Sequence, residues 1–273
     1  MSENRRIVFI TGANTGLGLE IVKALYSSPH SYDIIVGSRL VSNGEAAVAS
    51  VQQRTPSSSS SLSVLQLDLS SDESIHNAVE NIKSKFGRLD VLVNNGGAGF
   101  DGALRDGQLS IREAWNLSWD VNVAGTQVLT SEAVPLLLNS IDPRLIFITS
   151  GASALAYTER FDAPALQRVN ASPAPGWPKP KEINPIEAYR NAKTGLNMMM
   201  RQWHRILLSD GVKVWAISPG FLATNLGNVG VEQLKRMGAR DPAEGGSFVR
   251  GVIEGGQDSE VGKVVGAHGV QPW

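Results

Sequence analysis

Short apolar runs alternate with segments of helical period along the whole chain. The first run covers residues 7–11, and residues 17–26 after it repeat their apolar positions at helical spacing. The same alternation predicts further strands at 33–37, 63–67, 89–93, 145–149, 212–218 and 261–265 and further helices at 44–54, 72–86, 110–139 (broken near Pro135) and 185–209. Apolar strands between amphipathic helices are typical of βαβ units. The pattern therefore predicts an α/β protein with a doubly wound, mostly parallel sheet covered by helices on both faces.

Composition narrows the class of protein. Hydrophobic residues make up 42% of the 273 residues and no linker divides the chain, so we predict one domain over residues 1–273. The formal net charge of −1 predicts no binding to nucleic acid or to an anionic membrane. The chain has no cysteine and its four histidines are scattered, which excludes a disulfide framework and predicts no metal site. No apolar run has the length of a membrane span, so we expect a cytoplasmic protein.

A glycine-rich loop separates the first predicted strand from the first predicted helix. Its three glycines have the spacing GxxxGxG. Glycines allow a tight turn and the close approach of a pyrophosphate, and the free N–H groups at the start of a helix bind its negative charge. The loop predicts a dinucleotide site that contains Gly12, Asn14, Thr15, Gly16, Leu17 and Gly18.

The end of the second predicted strand indicates which dinucleotide binds. In NAD-binding proteins an acidic residue about 20 positions after the glycine loop accepts a hydrogen bond from the ribose 2′-hydroxyl. Ser38 and Arg39 stand in this region of the chain. Because a hydroxyl and a guanidinium suit a 2′-phosphate, the sequence favours NADP(H).

Tyr189 and Lys193 lie four positions apart in the predicted helix at 185–209, and therefore on one face of it. A tyrosine has a pKa near 10 and exchanges protons at neutral pH when a nearby cation stabilises its anion. Lys193 can supply that cation. Asn184 and Glu187 are predicted to cap this helix just before Tyr189. The pair is a candidate for acid–base catalysis.

Further polar residues follow the predicted strands at one edge of the sheet. Ser150 follows the strand at 145–149, and Asn94 follows an apolar run in the strand region 89–93. In open parallel sheets ligands bind beyond the carboxyl ends of the strands. Asn122 is a polar residue among apolar ones inside the helix at 110–139, so it needs a partner. These positions predict that the polar residues share one site.

Taken together, these motifs resemble the short-chain dehydrogenase/reductase family. The family's TGxxxGxG corresponds to residues 11–18, its NNAG to 94–97, its YxxxK to 189–193 and its PGxxxT to 219–224. The resemblance covers nearly the whole chain. It implies a single Rossmann domain with a seven-stranded sheet.

The resemblance also implies the roles of four catalytic residues. Ser150 is expected to bind the substrate oxygen, and Tyr189 to transfer the proton. Lys193 is expected to hold the nicotinamide ribose and to tune Tyr189. Asn122 is expected to support a proton relay through water.

The family pattern extends the predicted cofactor site beyond the glycine loop and the 2′-phosphate residues. Asp68 is expected at the adenine and Thr224 near the carboxamide. The remaining cofactor residues implied by the resemblance are Leu69, Asn94, Gly96, Gly97, Tyr189, Lys193, Pro219, Gly220 and Leu222. Gly96 stands where the family usually has alanine, which is expected to cost some local rigidity.

The interval between Ser150 and Tyr189 is longer than in most members of the family. The additional residues, about 156–183, are similar to an insertion in the carbonyl-reductase group, where it covers the face used for oligomerisation. We therefore expect a monomer, or at most a dimer. The insertion holds a predicted short helix at 163–169 and a proline-rich part in which Trp177 is expected to be an apolar anchor. The expected substrate pocket contains Phe100, Ala152, Trp177 and Phe221, and residues 225–246 are expected to form a lid.

The resemblance implies an NADPH-dependent reductase that converts the carbonyl of a small molecule, such as a ketone, aldehyde or quinone, into an alcohol. Two alternatives stay open. One is a reductase of an imine, iminium or other polarised double bond in a biosynthetic pathway, which would need Tyr189 less. The other is an NADP-binding regulator without turnover, against which the complete set of Ser150, Tyr189 and Lys193 argues.

Overall fold

A computed structural model describes residues 5–180, 186–226 and 229–272, and its strands form one sheet. The strands are β1 Arg6–Ile10, β2 Tyr32–Ser38, β3 Ser61–Gln66, β4 Val91–Asn94, β5 Arg144–Ile148, β6 Lys213–Ser218, β7 Val264–Gly266 and β8 Gly269–Val270. Their order in the sheet is β3-β2-β1-β4-β5-β6-β7-β8. The first seven strands are parallel, and β8 pairs antiparallel with β7. The predicted doubly wound α/β fold is confirmed. The sheet has eight strands where seven were expected. The additional strand, β8, has two residues and is too short to give a hydrophobic pattern.

Ten α-helices connect or flank these strands in the described part of the chain. They are α1 Gly16–Tyr26, α2 Val41–Arg54, α3 Asp72–Phe86, α4 Asp101–Arg105, α5 Ile111–Trp119, α6 Gly125–Leu137, α7 Pro164–Asn170, α8 Glu187–Leu207, α9 Val231–Arg236 and α10 Pro242–Ile253. No helix of these described residues is long and apolar enough to cross a membrane.

The sheet has a buried core on each face because side chains alternate along every strand. In β1, Ile7 and Phe9 belong to the core under α3, α6 and α8. Val8 and Ile10 belong to the opposite core, which α1 and α10 cover. Strands buried on both faces explain the continuous apolar runs in the sequence.

The break in the long predicted helix lies elsewhere than expected. Residues Asp120–Ala124 form a π-helical turn between α5 and α6. Pro135 lies inside α6, which continues to Leu137, so the predicted break near Pro135 is wrong. A proline this close to the end of a helix removes one backbone hydrogen bond without stopping the helix. The actual irregularity surrounds Asn122, and π-helical turns are frequent at functional sites.

The last residues of the predicted lid at 225–246 belong to α10, which packs against α1. Residues 227 and 228 lie outside the described residues, and α9 covers the middle of the range. Gly245 and Gly246 are buried in α10, where a Cβ on Gly246 would lie 2.5 Å from the backbone of Glu20 in α1. The predicted lid therefore extends too far, because periodicity did not reveal α10.

Candidate active site

The glycine loop has the backbone that a pyrophosphate site requires. Gly12 and Gly16 have φ values of +59° and +54°, in the left-handed region that favours glycine. A Cβ on Gly18 would lie 2.5 Å from both the Gly12 carbonyl oxygen and the side-chain nitrogen of Asn95. The side chain of Thr15 does not cap α1, so the first N–H groups of this helix are available to a ligand. Asn14 and Leu17 lie half-buried in the same turn.

The loop after β4 is joined to the glycine loop. Asn95 donates its side-chain N–H groups to the carbonyl oxygens of Thr11, at 2.8 Å, and Gly12, at 3.2 Å. The Gly96 N–H donates to the Thr11 hydroxyl at 2.7 Å. These contacts bring the ends of the neighbouring strands β1 and β4 together. Sequence reasoning did not include Asn95 among the site residues.

The residues predicted at the adenosine end occupy the carboxyl ends of β2 and β3. Ser38 is buried and donates its hydroxyl to the Leu40 carbonyl at 2.8 Å. Arg39 is exposed. Hydrogen bonds from the Ser70 side chain and backbone hold the pKa of Asp68 below its usual value, and the charge of Arg39 acts in the same direction. Arg39 is therefore the exposed cation at this corner that could meet a 2′-phosphate.

Lys193 links the strand before Ser150 to the helix that carries Tyr189. Its ammonium is buried, donates to the Ile148 carbonyl at 3.0 Å and lies 5.7 Å from the centre of the Tyr189 ring. Burial disfavours its charged form and lowers its pKa to about 8. A Cβ on Gly97 would lie 3.2 Å from the Lys193 Nζ atom. The ammonium therefore faces the cofactor loop as well as the tyrosine.

Burial raises the pKa of Tyr189 above its usual value. The expectation that Lys193 lowers this pKa is therefore wrong for the chain by itself, because the shift is caused by desolvation of the phenolate. The phenol therefore keeps its proton at neutral pH. The Tyr189 phenol can therefore act as a proton donor.

Asn122 presents an unpaired acceptor to the same place. Its side-chain N–H groups donate to the carbonyl oxygens of Ala98, at 2.8 Å, and Ser118, at 2.9 Å. Its Oδ1 atom is buried without a hydrogen-bond partner among the described residues. A Cβ on Gly97 would lie 2.6 Å from this oxygen. A buried acceptor beside the Lys193 ammonium suits a bound water, since such a water needs two or more polar partners.

The hydroxyl of Ser150 donates to no acceptor among the residues that the structure describes. Its Oγ atom accepts a hydrogen bond from the Ala152 N–H at 3.2 Å, at the start of a short 3₁₀ turn, Gly151–Ser153. A hydroxyl that accepts from the protein can donate to a substrate oxygen.

Arg190 attaches the insertion to the helix that carries Tyr189, and nothing in the sequence indicated this role. Its guanidinium donates to the carbonyl oxygens of Ala152, at 2.5 Å, and Val169, at 3.2 Å, and to the Asn170 side chain, at 2.9 Å. It thereby attaches the insertion to the catalytic helix and to the turn after Ser150. Burial lowers its pKa. Position 190 carries no sequence signal because two of its three acceptors are backbone atoms.

The insertion contains α7, as predicted, but Trp177 does not anchor it. The Trp177 side chain is 87% exposed, so the expected apolar anchor is wrong, and the attachment at Arg190 is polar instead. Residues 181–183 of the insertion lie outside the described residues, as does Asn184, the predicted helix cap. The predicted capping partner Glu187 is exposed.

The other predicted pocket residues lie in three different segments of the chain. Phe221 is 36% exposed, and the Arg168 guanidinium of α7 lies 5.5 Å from the centre of its ring. Phe100 is half-buried directly before α4. Ala152 lines a cavity of 260 Å³ whose described lining includes neither Ser150 nor Tyr189. The Arg168–Phe221 contact brings the insertion to the loop after β6.

That loop lies against the start of α1 and is held by Arg240. A Cβ on Gly16 would lie 3.5 Å from the Cβ of Thr224. Gly220 has a φ of +96°, and Arg240 donates to the Pro219 carbonyl at 3.4 Å. Leu222 is buried.

These residues fit a dinucleotide. The glycine loop has two glycines with positive φ and leads into a helix that lacks a side-chain cap, and Asn94 and Asn122 each hold a buried oxygen without a partner among the described residues. Both asparagines lie in segments at the carboxyl edge of the sheet, where dinucleotides bind. No group of three or more histidine, aspartate or glutamate residues that could hold a metal occurs in the described ranges.

The fold and the site define an oxidoreductase that uses a nicotinamide cofactor. Residues 6–161 match the short chain dehydrogenase family. The chain belongs to the short-chain dehydrogenase/reductase family.

Curated relatives and solved structures agree with this assignment. The chain is 44% identical to the short-chain dehydrogenase/reductase tropE of Talaromyces stipitatus over 275 residues, 99% of this chain and 98% of tropE. It is 45% identical to the short-chain dehydrogenase/reductase eupG of a Phoma species over 276 residues, 98% of this chain and 97% of eupG. The fold is similar to that of an NADPH-bound carbonyl reductase from chicken fatty liver, with a TM-score of 0.77, 18% identity and coverage of 99% of this chain and 100% of that one.

Proposed function

We propose that the protein is an NADPH-dependent reductase that converts the carbonyl of a small organic molecule into an alcohol. The observation that carries the proposal is the connection of Ser150, Tyr189 and Lys193. Lys193 bonds to the strand that leads to Ser150 and lies beside the Tyr189 ring. A ketone needs this set, since its reduction creates an alkoxide that must be stabilised and protonated.

Each residue has a definite task in this reaction. The nicotinamide supplies the hydride when it is bound. Ser150 donates its free hydroxyl proton to the carbonyl oxygen and holds it in place. Tyr189 carries its proton at neutral pH, since its pKa lies above the usual value near 10, and gives that proton to the developing alkoxide. Lys193, with one N–H group on Ile148, has two left for the ribose and for a water on Asn122.

The experiment that tests this function is a panel of ketones, aldehydes, quinones and imines assayed by loss of NADPH absorbance. Turnover of one or more carbonyl compounds is expected. Turnover of imines alone would overturn the proposal, because hydride addition to an iminium gives a neutral amine and leaves no alkoxide for Tyr189 to protonate.

The proposed preference for NADPH over NADH depends on Arg39. Its exposed guanidinium lies at the end of β2, where a 2′-phosphate would be bound. Replacing Arg39 by alanine is expected to weaken NADPH binding about tenfold and to leave NADH binding nearly unchanged. Fluorescence titration with both cofactors measures this. Arg54→Ala, an exposed arginine at the end of α2, is the control, and equal weakening for both cofactors by Arg39→Ala would contradict the assignment.

We further propose that the protein is a monomer, or at most a dimer. The insertion is attached to the first turn of α8 through Arg190, on a helix that the family uses for assembly. Light scattering is expected to give the mass of one chain or of two, and a mass of four chains would show that the insertion does not block assembly.

A further inference from the structure

Asp101 is a buried carboxylate that the mechanism above does not use. It begins α4, shortly after the cofactor loop that follows β4, and is 8% exposed. Its two oxygens accept hydrogen bonds from the backbone N–H groups of Ala188, at 2.7 Å, and Tyr189, at 3.1 Å. Asp101 therefore binds the backbone of the proposed proton donor itself.

The N-cap residue of α8 does not itself accept a hydrogen bond from the first N–H groups of the helix through its side chain. Ile186 precedes α8 and has no side-chain oxygen. The first N–H groups of a helix lack partners within the helix and are satisfied by a nearby acceptor. Asp101 supplies that acceptor from a distant part of the sequence, and its negative charge suits the positive end of the helix.

The segment that carries Asp101 runs past Asn122 and close to the Tyr189 ring. The carbonyl oxygen of Ala98 accepts a hydrogen bond from Asn122 at 2.8 Å. A Cβ on Gly99 would lie 3.9 Å from the Cδ2 atom of the Tyr189 ring. One short segment thus bonds to Asn122 and to the start of α8, and it passes beside the ring of the proton donor.

We propose that Asp101 is a positioning residue that holds the Tyr189 phenol at the depth at which it can protonate the product alkoxide. The carboxylate holds the first turn of α8 in place relative to the cofactor loop after β4. The nicotinamide and the Tyr189 phenol are therefore positioned by the same segment of the chain. The assignment rests on the proposed reduction of a carbonyl. Each carboxylate oxygen accepts from one of the two N–H groups, and an asparagine would turn its NH₂ group toward one of them, so it could keep only one of these bonds in the same geometry.

The test compares Asp101→Ala and Asp101→Asn with Asp106→Ala, which removes an exposed carboxylate just after the same helix. With a ketone that the wild type reduces, Asp101→Ala is expected to lower kcat about 10- to 100-fold, since small misplacements of a catalytic group cost this much. Asp101→Asn is expected to lie between Asp101→Ala and the wild type. KM and NADPH affinity are expected to change little, and Asp106→Ala to behave as the wild type.

Isotope effects distinguish two causes of a lower kcat in Asp101→Ala, a misplaced Tyr189 phenol and a smaller fraction of folded protein. With a misplaced donor, proton transfer limits the rate, so the solvent isotope effect on kcat is expected to rise and the effect of deuterated NADPH to fall. A chain that is only less stable would show wild-type isotope effects and fewer NADPH sites per chain, and this result would overturn the proposal. Unchanged kcat in Asp101→Ala would do the same.

Hydrogen exchange gives a readout that does not depend on turnover. In Asp101→Ala the amides at the start of α8 are expected to exchange faster, whereas Asp106→Ala leaves them unchanged. Failure of the proposed function is recognised in the wild type, which would then reduce no ketone. Failure of the Asp101 assignment is recognised in the variant alone, by wild-type exchange at Ala188 and Tyr189.

Discussion

Replacing Tyr189 by phenylalanine is expected to lower the turnover of a ketone by about 10²–10⁴-fold, the usual contribution of general acid catalysis. The substitution removes one oxygen from a side chain whose pKa is raised by burial and which therefore carries its proton at neutral pH. NADPH affinity is expected to stay nearly intact, because the ring remains in place. Turnover and NADPH fluorescence, measured on the same preparation, give both quantities.

Two further variants sharpen this result. Tyr157→Phe removes a phenol from the insertion and is expected to leave turnover nearly unchanged, since Tyr157 lies outside the YxxxK motif. Lys193→Ala is expected to reduce both turnover and NADPH affinity, because its ammonium lies beside Tyr189 and faces the cofactor loop. Near wild-type ketone turnover by Tyr189→Phe would mean that the proton comes from another group, and the proposed mechanism would be wrong.

The parts of the site that follow from local sequence were predictable. Strands such as β1 and β5 are buried on both faces, so they appear as apolar runs whose ends place Thr11 and Ser150 at one edge of the sheet. Gly12 and Gly16 have positive φ values, which the spacing of the glycine loop anticipates. These features depend on a few neighbouring residues, and the pattern of the chain contains them.

Contacts between distant segments were not predictable in the same way. Asp101 caps α8 from a helix that follows β4, while the sequence indicated Asn184 and Glu187 as the cap. The acceptors of Arg190 include the backbone of α7, whose position depends on how the insertion folds. Neither contact has a spacing rule, because each joins elements that only the tertiary fold brings together.

The protonation of the site also depends on tertiary burial. The spacing of Tyr189 and Lys193 predicted a lowered tyrosine pKa from their proximity alone. In the fold Lys193 is buried and Tyr189 is half-buried with its phenol desolvated, so the charged forms are disfavoured: the pKa of Tyr189 rises and that of Lys193 falls to about 8. Proximity was predicted correctly, but desolvation decides the direction of the shift.

At the opposite end of the sheet from the site, a cluster of charges joins three segments. Arg144, at the start of β5, has a side chain that is 3% exposed. Its guanidinium pairs with both oxygens of Asp258, at 2.6 Å and 3.0 Å, and with Asp142 at 3.1 Å. Lys213, at the start of β6, bonds to the same two carboxylates at 2.7 Å and 2.8 Å. The cluster therefore connects β5 and β6 to the segment before β7.

Replacing Asp258 by alanine is expected to lower the free energy of unfolding by about 2–3 kcal/mol. The variant leaves a buried guanidinium with one carboxylate fewer, and removing one partner of a buried pair typically costs about 3–5 kcal/mol. The expected loss is smaller because Asp142 still pairs with Arg144 and Asp258 is 35% exposed. Urea unfolding measures the loss. Asp162→Ala removes an exposed partner of Arg160 and is expected to leave the free energy of unfolding nearly unchanged, because solvent screens such a pair.

The stabilisation by Asp258 has a defined dependence on pH. Hydrogen bonds from Arg144 and Lys213 lower the pKa of Asp258 from 3.8 to about 2. Because the folded value is the lower one, the contribution is complete above the unfolded pKa and is lost as pH falls through about 2. The difference in unfolding free energy between wild type and Asp258→Ala is therefore expected to be constant from neutral pH to about 5 and to shrink below about 4. A difference that grew on acidification would contradict the pairing of Asp258 with Arg144.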